Sequence, residues 1–166
     1  ASAVSRLLDL GIRAVRNQAV LMRGINDSTS DVLDLCFALA DEAQITPYYL
    51  FMGDLIPNGE HWRTPLHVAQ AIQDDILGYL SGFATPRVSV DVPYVGKRLV
   101  HQAASYDRVR GISTWTKNYR TPLDAPDADL REQTFVYVDP VSTLPDEGRA
   151  YWASDSEESD AYRVHA

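Results

Sequence analysis

The sequence predicts an α/β protein with a parallel sheet, and the order of its apolar segments carries this prediction. β-Forming residues dominate at positions 13–22, 45–52 and 87–92, and each run has a length suited to a strand. Two amphipathic helical patterns separate the three runs. An order of strand, helix, strand, helix, strand favours parallel pairing with right-handed crossover connections.

Helix-capping residues define the ends of the first helical patterns. The opening residues are typical of the end of a helix, with Gly11 at a favoured position for a left-handed C-cap. Ser28 or Thr29 can cap the next helix, which we expect to end near Gln44. The apolar stripe of this helix repeats at helical spacing and consists of Val32, Cys36, Leu39, Ala40 and Ala43.

The helix between the second and third strands begins at a Thr-Pro pair. Proline is tolerated in the first helical turn and threonine is a good N-cap, so Thr64 and Pro65 predict this start. Gly82 is the predicted end of the helix. Its predicted buried face contains Val68, Ile72, Ile76 and Leu80.

Composition divides the chain into three parts. Residues 1–100 carry the alternation of strands and helices and are predicted to form one unit. Residues 101–152 are predicted to form a small β-rich extension, with short strands at 109–116 and 134–138. Residues 153–166 are mostly small and acidic, which predicts a flexible tail because they offer little apolar surface to bury.

The charge and the cysteine content exclude several function classes. A formal net charge of −8 repels nucleic acid and anionic membranes, so a small-molecule partner fits better. Cys36 is the single cysteine, which excludes an internal disulfide or a cysteine-rich metal motif within this sequence. We therefore predict no metal ligands here and a cytoplasmic location. The chain lacks an initiator Met, so we expect that it starts within a longer protein.

Ionisable side chains follow each predicted strand, in loops that begin at Arg23, Gly53 and Asp91. In a parallel α/β barrel the active site is built at the carboxyl ends of the strands, where such loops converge. The alternative interpretation is that loops are simply polar. The ionisable and amide side chains in these loops are Asn26, Asp27, Asp54, Glu60, His61, Arg63 and Lys97.

Five segments of the sequence form an ordered set of motifs: residues 17–27 (NQAVLMRGIND), 47–54 (PYYLFMGD), 61–65 (HWRTP), 81–86 (SGFATP) and 90–97 (VDVPYVGK). In order and approximate spacing they resemble the C-terminal half of lysine 2,3-aminomutases, and the resemblance covers about residues 5–106. The resemblance implies the C-terminal half of a partial (β/α)₆ barrel of the radical S-adenosylmethionine type. It places the cysteine loop that binds the [4Fe–4S] cluster in the other half of that barrel.

The same resemblance implies the cofactors and the reaction. Members of this family use a [4Fe–4S] cluster, S-adenosylmethionine and pyridoxal 5′-phosphate to move the α-amino group of lysine to the β-carbon. The cofactors supply the radical chemistry, whereas the protein orients the substrate and excludes water. We expect the isolated segment to be inactive and poorly soluble, because a half-barrel leaves a strand edge and an apolar flank exposed.

The resemblance also assigns roles to three charged residues. Lys97 falls at the position of the lysine that binds pyridoxal phosphate, although a solvated surface lysine is the ordinary interpretation. Asp54 and Asp91 match the two carboxylates that hold the terminal ammonium of lysine. Two carboxylates at one site select basic substrates over acidic ones. Either aspartate alone is equally consistent with a loop or capping role.

Three further residues match the strand and loop that face the cofactors. Gln18, Arg23 and Asn26 are carried over as lining residues of the cofactor site, although Asn26 is also a common turn-former. His61 and Arg63 belong to a matched segment, but Arg63 can equally brace the helix that follows it.

Departures from the family pattern limit these assignments. A single glycine, Gly96, replaces the family's glycine run before Lys97, and Phe51 replaces an expected tyrosine. Ser28 stands where some relatives have a zinc-binding cysteine. The resemblance therefore predicts no zinc bridge between subunits, and it leaves open a homo-oligomer without one.

Two other hypotheses compete with an enzyme acting on lysine. An arginine-type aminomutase would keep the acidic groups and change the depth of the pocket. A non-catalytic α/β binding module would keep the fold and lack the half that binds the cluster. A basic amino acid is the predicted small-molecule partner whether the enzyme acts on lysine or on arginine.

Overall fold

The computed structural model describes residues 2–122 and 124–154 together with Glu157 and Ser159. A four-stranded sheet in the order β1-β2-β3-β4 forms the first half of the molecule. β1 (Arg16–Leu21), β2 (Thr46–Met52) and β3 (Arg87–Val92) are parallel. β4 (Gly96–Leu99) pairs antiparallel with β3. The α/β class and the parallel order of the first three strands are confirmed.

Helices connect the parallel strands. α1 (Ser2–Asp9) precedes β1, and α2 (Thr29–Phe37) connects β1 to β2 and continues into a π-helical turn at Ala38–Glu42. α3 (Leu66–Leu77) connects β2 to β3. Gly11 adopts a φ of +84° directly after α1, as predicted for a left-handed helix end.

The two predicted helix starts have different outcomes. Ser28 caps α2, because its hydroxyl accepts a hydrogen bond of 3.2 Å from the backbone N–H of Asp31. The prediction that Thr64 caps α3 is wrong, since its hydroxyl has no hydrogen-bond partner among the described residues. Asp139, 73 residues further along the chain, accepts the N–H of Leu66 at 2.8 Å instead.

The predicted end of α3 at Gly82 is also wrong. The helix ends at Leu77, and Gly78 is its C-cap. Glycine lowers helical stability because it loses more backbone entropy than other residues, so Gly78 ends the helix before Leu80, the last residue of the predicted apolar stripe.

A three-stranded antiparallel sheet forms the second half of the molecule, in the order β5-β6-β7. β6 (Ile112–Thr116) and β7 (Thr134–Val138) confirm the two predicted strands of this region. β5 (Ser105–Asp107) and α4 (Asp146–Ala153) were not predicted. Short 3₁₀ turns lie at Glu60–Trp62, Val100–Gln102 and Val141–Thr143.

Both sheets contribute to one hydrophobic core. Trp115 of β6 and Tyr137 of β7 are fully buried and belong to the same cluster as the core of the first sheet. That cluster includes Leu21, Val32, Leu50, Met52, Leu66, Ile72, Ile76, Val88, Val90 and Val92. The division of residues 1–166 into three units stays a prediction, and most of the predicted tail at 153–166 lies outside the described residues.

The four-stranded sheet has two different faces. Leu21, Leu50 and Val90 point toward the core formed with α2 and α3. The alternate residues form the opposite face. Ser89 of β3 is buried there, whereas the other residues of this face are exposed or half-buried and include Gln18, Val20, Tyr49, Phe51, Asp91 and Lys97. Among the described residues, no helix is long and apolar enough to cross a membrane.

Candidate active site

An open cavity of about 610 Å³ lies on the uncovered face of the first sheet, toward the carboxyl ends of its parallel strands. Its polar lining comes from Gln18, Asp54, Arg63, Asp91 and Lys97. Its apolar lining includes Val20, Met22, Phe51, Ile56 and Trp62. Four of the six predicted site residues therefore meet at one cavity, although they come from β1, β3, β4 and the loop after β2.

The local position of Asp91 and Lys97 differs from the predicted loop. Asp91 belongs to β3, and Lys97 is its direct partner across the antiparallel β3–β4 pair. The intervening turn contains Tyr94 with a φ of 63° and Gly96 with a φ of 82°. The chain reverses at this turn, so a hairpin presents both charged groups from adjacent strands.

The amine of Lys97 contacts aromatic rings. Its Nζ lies 4.2 Å from the ring centroid of Tyr49 and 4.4 Å from that of Phe51, both on β2. Because β3 separates β4 from β2, the lysine side chain must cross β3 to reach these rings. In the described part of the chain, no carboxylate oxygen lies within 4.0 Å of this amine, so the amine forms no ion pair there. The two rings hold it by cation–π attraction.

The two aspartates of the cavity interact electrostatically. Partial burial raises the pKa of the Asp91 carboxyl above its ordinary range, the positive charge of Lys97 lowers it, and the negative charge of Asp54 raises it. A cation bound between the two carboxylates would relieve their mutual repulsion. The arrangement therefore suits a ligand that carries an ammonium or guanidinium group.

Arg23 and Asn26 do not line the cavity. The Arg23 guanidinium donates to the carbonyl oxygen of His61 at 3.2 Å and to the hydroxyl of Ser142 at 3.2 Å. Asn26 accepts from the N–H of Met22 at 2.6 Å and donates to the carbonyl of Val20 at 2.9 Å. Both side chains organise the loop after β1, and their role toward a cofactor stays a prediction.

The second sheet supports the cavity through contacts that the sequence did not indicate. The hydroxyl of Tyr137 donates to the carbonyl of Gly53 at 2.7 Å, directly before Asp54. Arg63 packs over the Tyr137 ring at 5.0 Å and donates to the carbonyl of Val138. Tyr137 follows Gly53 by 84 residues, so no local pattern could have identified this support.

The cavity fits pyridoxal phosphate at two points. Lys97 supplies a primary amine that contacts two aromatic rings and forms no ion pair with a carboxylate of the described residues. Arg63 is buried, lines the same cavity, and its Nε–H has no hydrogen-bond partner in the described part of the chain. An unpaired guanidinium donor is suited to an anionic group such as a phosphate or carboxylate.

The described residues do not fit an iron–sulfur cluster. Cys36 is 1% exposed in the hydrophobic core, and burial raises the pKa of its thiol to about 11. A protonated core thiol is a poor metal ligand. No group of three His, Cys, Asp or Glu side chains converges on a metal position in the described segments.

An open sheet face at the carboxyl ends of parallel strands, with an amine and two carboxylates at one cavity, is typical of α/β enzymes that act on small charged molecules. Comparisons with known proteins identify the family. The chain is 37% identical over 118 residues to the putative L-lysine 2,3-aminomutase of Aquifex aeolicus, a match of 70% of this chain and 31% of the relative. It is 38% identical over 91 residues to the L-lysine 2,3-aminomutase of Fusobacterium nucleatum, covering 55% of this chain and 21% of the relative.

A third relative extends the match. The chain is 29% identical over 155 residues to the L-lysine 2,3-aminomutase of Bacillus subtilis, covering 92% of this chain and 30% of that protein. No family model matches the sequence. The chain belongs to the lysine 2,3-aminomutase family, and the resemblance predicted from its motifs is confirmed. It spans less than a third of the length of these curated relatives.

Proposed function

We propose that this chain forms part of a pyridoxal-phosphate-dependent radical S-adenosylmethionine aminomutase that moves the α-amino group of lysine to the β-carbon. The observation that carries the proposal is the meeting of Lys97, Asp54 and Asp91 at one cavity, in a chain whose relatives are named L-lysine 2,3-aminomutases. A basic substrate needs carboxylates and pyridoxal phosphate needs an amine, and this cavity provides both groups.

Lys97 is the proposed attachment residue, and a comparison of the two lysines in the sequence supports this choice. The amine of Lys117 lies 2.7 Å and 2.9 Å from the two carboxylate oxygens of Asp124, in an ion pair that is nearly buried. Lys97 contacts aromatic rings and lines the cavity. An amine must leave a carboxylate to react, so Lys97 is the more available nucleophile.

Asp54 and Asp91 are the proposed ligands of the substrate's terminal ammonium. Their charges disfavour each other in the free cavity, whereas a bound ammonium compensates both. Pyridoxal phosphate, the cluster and S-adenosylmethionine supply the radical rearrangement when they are bound. The chain's own contribution is to orient the substrate through these carboxylates and to limit water at the apolar wall of Phe51, Met22 and Ile56.

The test is covalent trapping of the cofactor in the intact protein. Pyridoxal phosphate is added, the complex is reduced with borohydride, and modified peptides are mapped by mass spectrometry. We expect the modification on Lys97 and its loss in Lys97→Ala, with Lys117→Arg as the matched control that keeps the charge near Asp124. A modification that persists in Lys97→Ala, or that maps to Lys117, would show the proposal to be wrong.

A further inference from the structure

We propose that Tyr119 is a positioning residue for Lys97, and that the second sheet thereby sets the place of the reactive amine. This inference rests on the proposed function, because it concerns the residue assigned there to the cofactor. Tyr119 lies in the loop after β6, outside the cavity, and acts through the backbone of the β3–β4 turn.

The contact between Tyr119 and the turn is specific. The Tyr119 hydroxyl donates to the carbonyl oxygen of Val95 at 2.8 Å. A Cβ atom at Gly96 would lie 2.7 Å from the same hydroxyl oxygen, so glycine leaves the room that this tyrosine occupies. The φ of +82° at Gly96 also disfavours any other residue there. The conformation of the turn and the position of Tyr119 therefore depend on each other.

A second anchor holds the residue on the other side of Lys97. Arg98 is 7% exposed, and its guanidinium donates to the carbonyl oxygen of Thr116 at the end of β6. Lys97 thus lies between two residues, Gly96 and Arg98, that are both in contact with β6 or the loop after it. Its own side chain projects away from these anchors to the rings of Tyr49 and Phe51.

The loop that carries Tyr119 is itself fixed. The amine of Lys117 bonds both carboxylate oxygens of Asp124, which also accepts the backbone N–H of Thr121 at 2.6 Å. The hydrogen bond from Lys117 is the main reason why the pKa of Asp124 falls to about 2, so this carboxylate stays ionised at neutral pH. The contacts of Asp124 with Lys117 and Thr121 fix the residues on both sides of Tyr119, which gives its ring a defined position from which to hold the turn.

A fixed turn matters because cation–π contacts at an exposed site are weak, so the position of the Lys97 amine also depends on the backbone that carries it. Small displacements of a reacting group reduce rates strongly, whereas they change ground-state binding less. Removal of the Tyr119 hydroxyl is therefore expected to act on the placement of the Lys97 amine more than on the affinity for the substrate.

The decisive variant is Tyr119→Phe in the intact protein, with Tyr79→Phe as the matched control because Tyr79 is 70% exposed. We expect faster hydrogen exchange of the backbone amides of residues 95–98 and an altered rate of Lys97 acylation by acetic anhydride without cofactor. With all cofactors present, kcat should fall about tenfold while KM for lysine stays within about twofold. Borohydride trapping on Lys97 should slow in parallel.

A second variant tests the steric part of the contact. Gly96→Ala should impair trapping more than Tyr119→Phe does, because its methyl group collides with the hydroxyl and its φ is strained. In the double variant the collision is absent, so the two effects should be less than additive. Strict additivity would contradict the proposed contact.

The outcomes separate this inference from the proposed function. If the wild-type protein gives no adduct on Lys97, the proposed function fails, while exchange and acylation still decide whether Tyr119 positions this strand. If Tyr119→Phe leaves exchange and acylation unchanged, the inference is wrong. Faster exchange with unchanged kcat and trapping would also overturn it, since Tyr119 would then stabilise the hairpin without placing the amine.

Discussion

The two sheets of this protein use their surfaces in different ways. The four-stranded sheet is covered on one face by α2 and α3 and leaves the other face open, where Asp91 and Lys97 line a cavity. The three-stranded sheet buries Trp115 and Tyr137 in the shared core. Its Tyr137 hydroxyl and the following Asp139 each make a hydrogen bond to the first half of the chain. The first sheet thus presents chemical groups, and the second holds the segments that carry them.

The two lysines show the same difference on a smaller scale. Lys97 on the first sheet is exposed and contacts aromatic rings, whereas Lys117, directly after β6 of the second sheet, is nearly buried and paired with Asp124. Exposed charge without a fixed partner is available for binding, and a buried pair fixes structure. Removing one partner of such a pair leaves an uncompensated charge.

The largest expected effect comes from a core substitution in the second sheet. Trp115→Ala should lower the free energy of unfolding by about 3–5 kcal/mol, because it leaves a cavity in the core common to both sheets. It also removes the indole N–H that donates to the Ser113 hydroxyl at 2.9 Å. Urea unfolding measures the change, with Tyr79→Ala as an exposed control expected within about 0.5 kcal/mol. A loss below about 1 kcal/mol for Trp115→Ala would show that the second sheet is not essential to the core.

The next effect concerns the carboxyl group of Asp139, which follows β7 and accepts a hydrogen bond from the first residue of α3. Burial raises the pKa of Asp139 from 3.8 to about 6. The hydrogen bonds from Tyr106 and from the Leu66 N–H and the positive charge of Arg63 each lower this pKa, but their effect is smaller than that of burial. A carboxyl with a higher pKa in the folded state binds its proton more tightly when folded. Its contribution to stability is therefore fully present below about pH 4 and is lost as the pH rises through about 6.

The corresponding experiment compares wild type with Asp139→Asn by urea unfolding between pH 4 and pH 7. The stability of wild type relative to this variant should fall by about 3 kcal/mol over that range. Tyr106→Phe removes the 2.5 Å hydrogen bond to Asp139 and should move the midpoint of the change to higher pH. If the difference in the free energy of unfolding between wild type and Asp139→Asn does not depend on pH, the raised pKa of Asp139 is contradicted.

The smallest of the three effects concerns ligand binding at the cavity on the open face of the first sheet. Under the proposed function, Asp54→Asn and Asp91→Asn should each weaken the binding of lysine by about 1.5–3 kcal/mol, because one proposed charge-assisted contact to the ammonium of lysine is lost. Steady-state kinetics of the intact protein with lysine and with arginine measure this change. Asp34→Asn, on the exposed side of α2, serves as the control. Unchanged KM values in both cavity variants would remove the main support for a basic substrate.

Local patterns predicted most of the first sheet because its strands and helices differ in period and have distinct caps. Residues 16–21, 46–52 and 87–92 became strands within the predicted runs, and Ser28 caps α2 as expected. The start of α3 was predicted at the right place for the wrong reason, since Asp139 and not Thr64 accepts its first N–H. A side chain from 73 residues away replaces the local cap, and no sequence window contains both groups.

The sequence by itself determined the order of β1, α2, β2, α3 and β3, the family, and which charged residues lie near the carboxyl ends of these strands, because these depend on residue type and short spacing. Only the tertiary structure decided that Gln18, Asp54, Asp91 and Lys97 share a cavity while Arg23 and Asn26 organise a loop. It also decided that Tyr119 occupies the space beside Gly96. Contacts between distant segments depend on which strands pair and on how the two sheets pack together, and no short stretch of sequence contains both partners of such a contact.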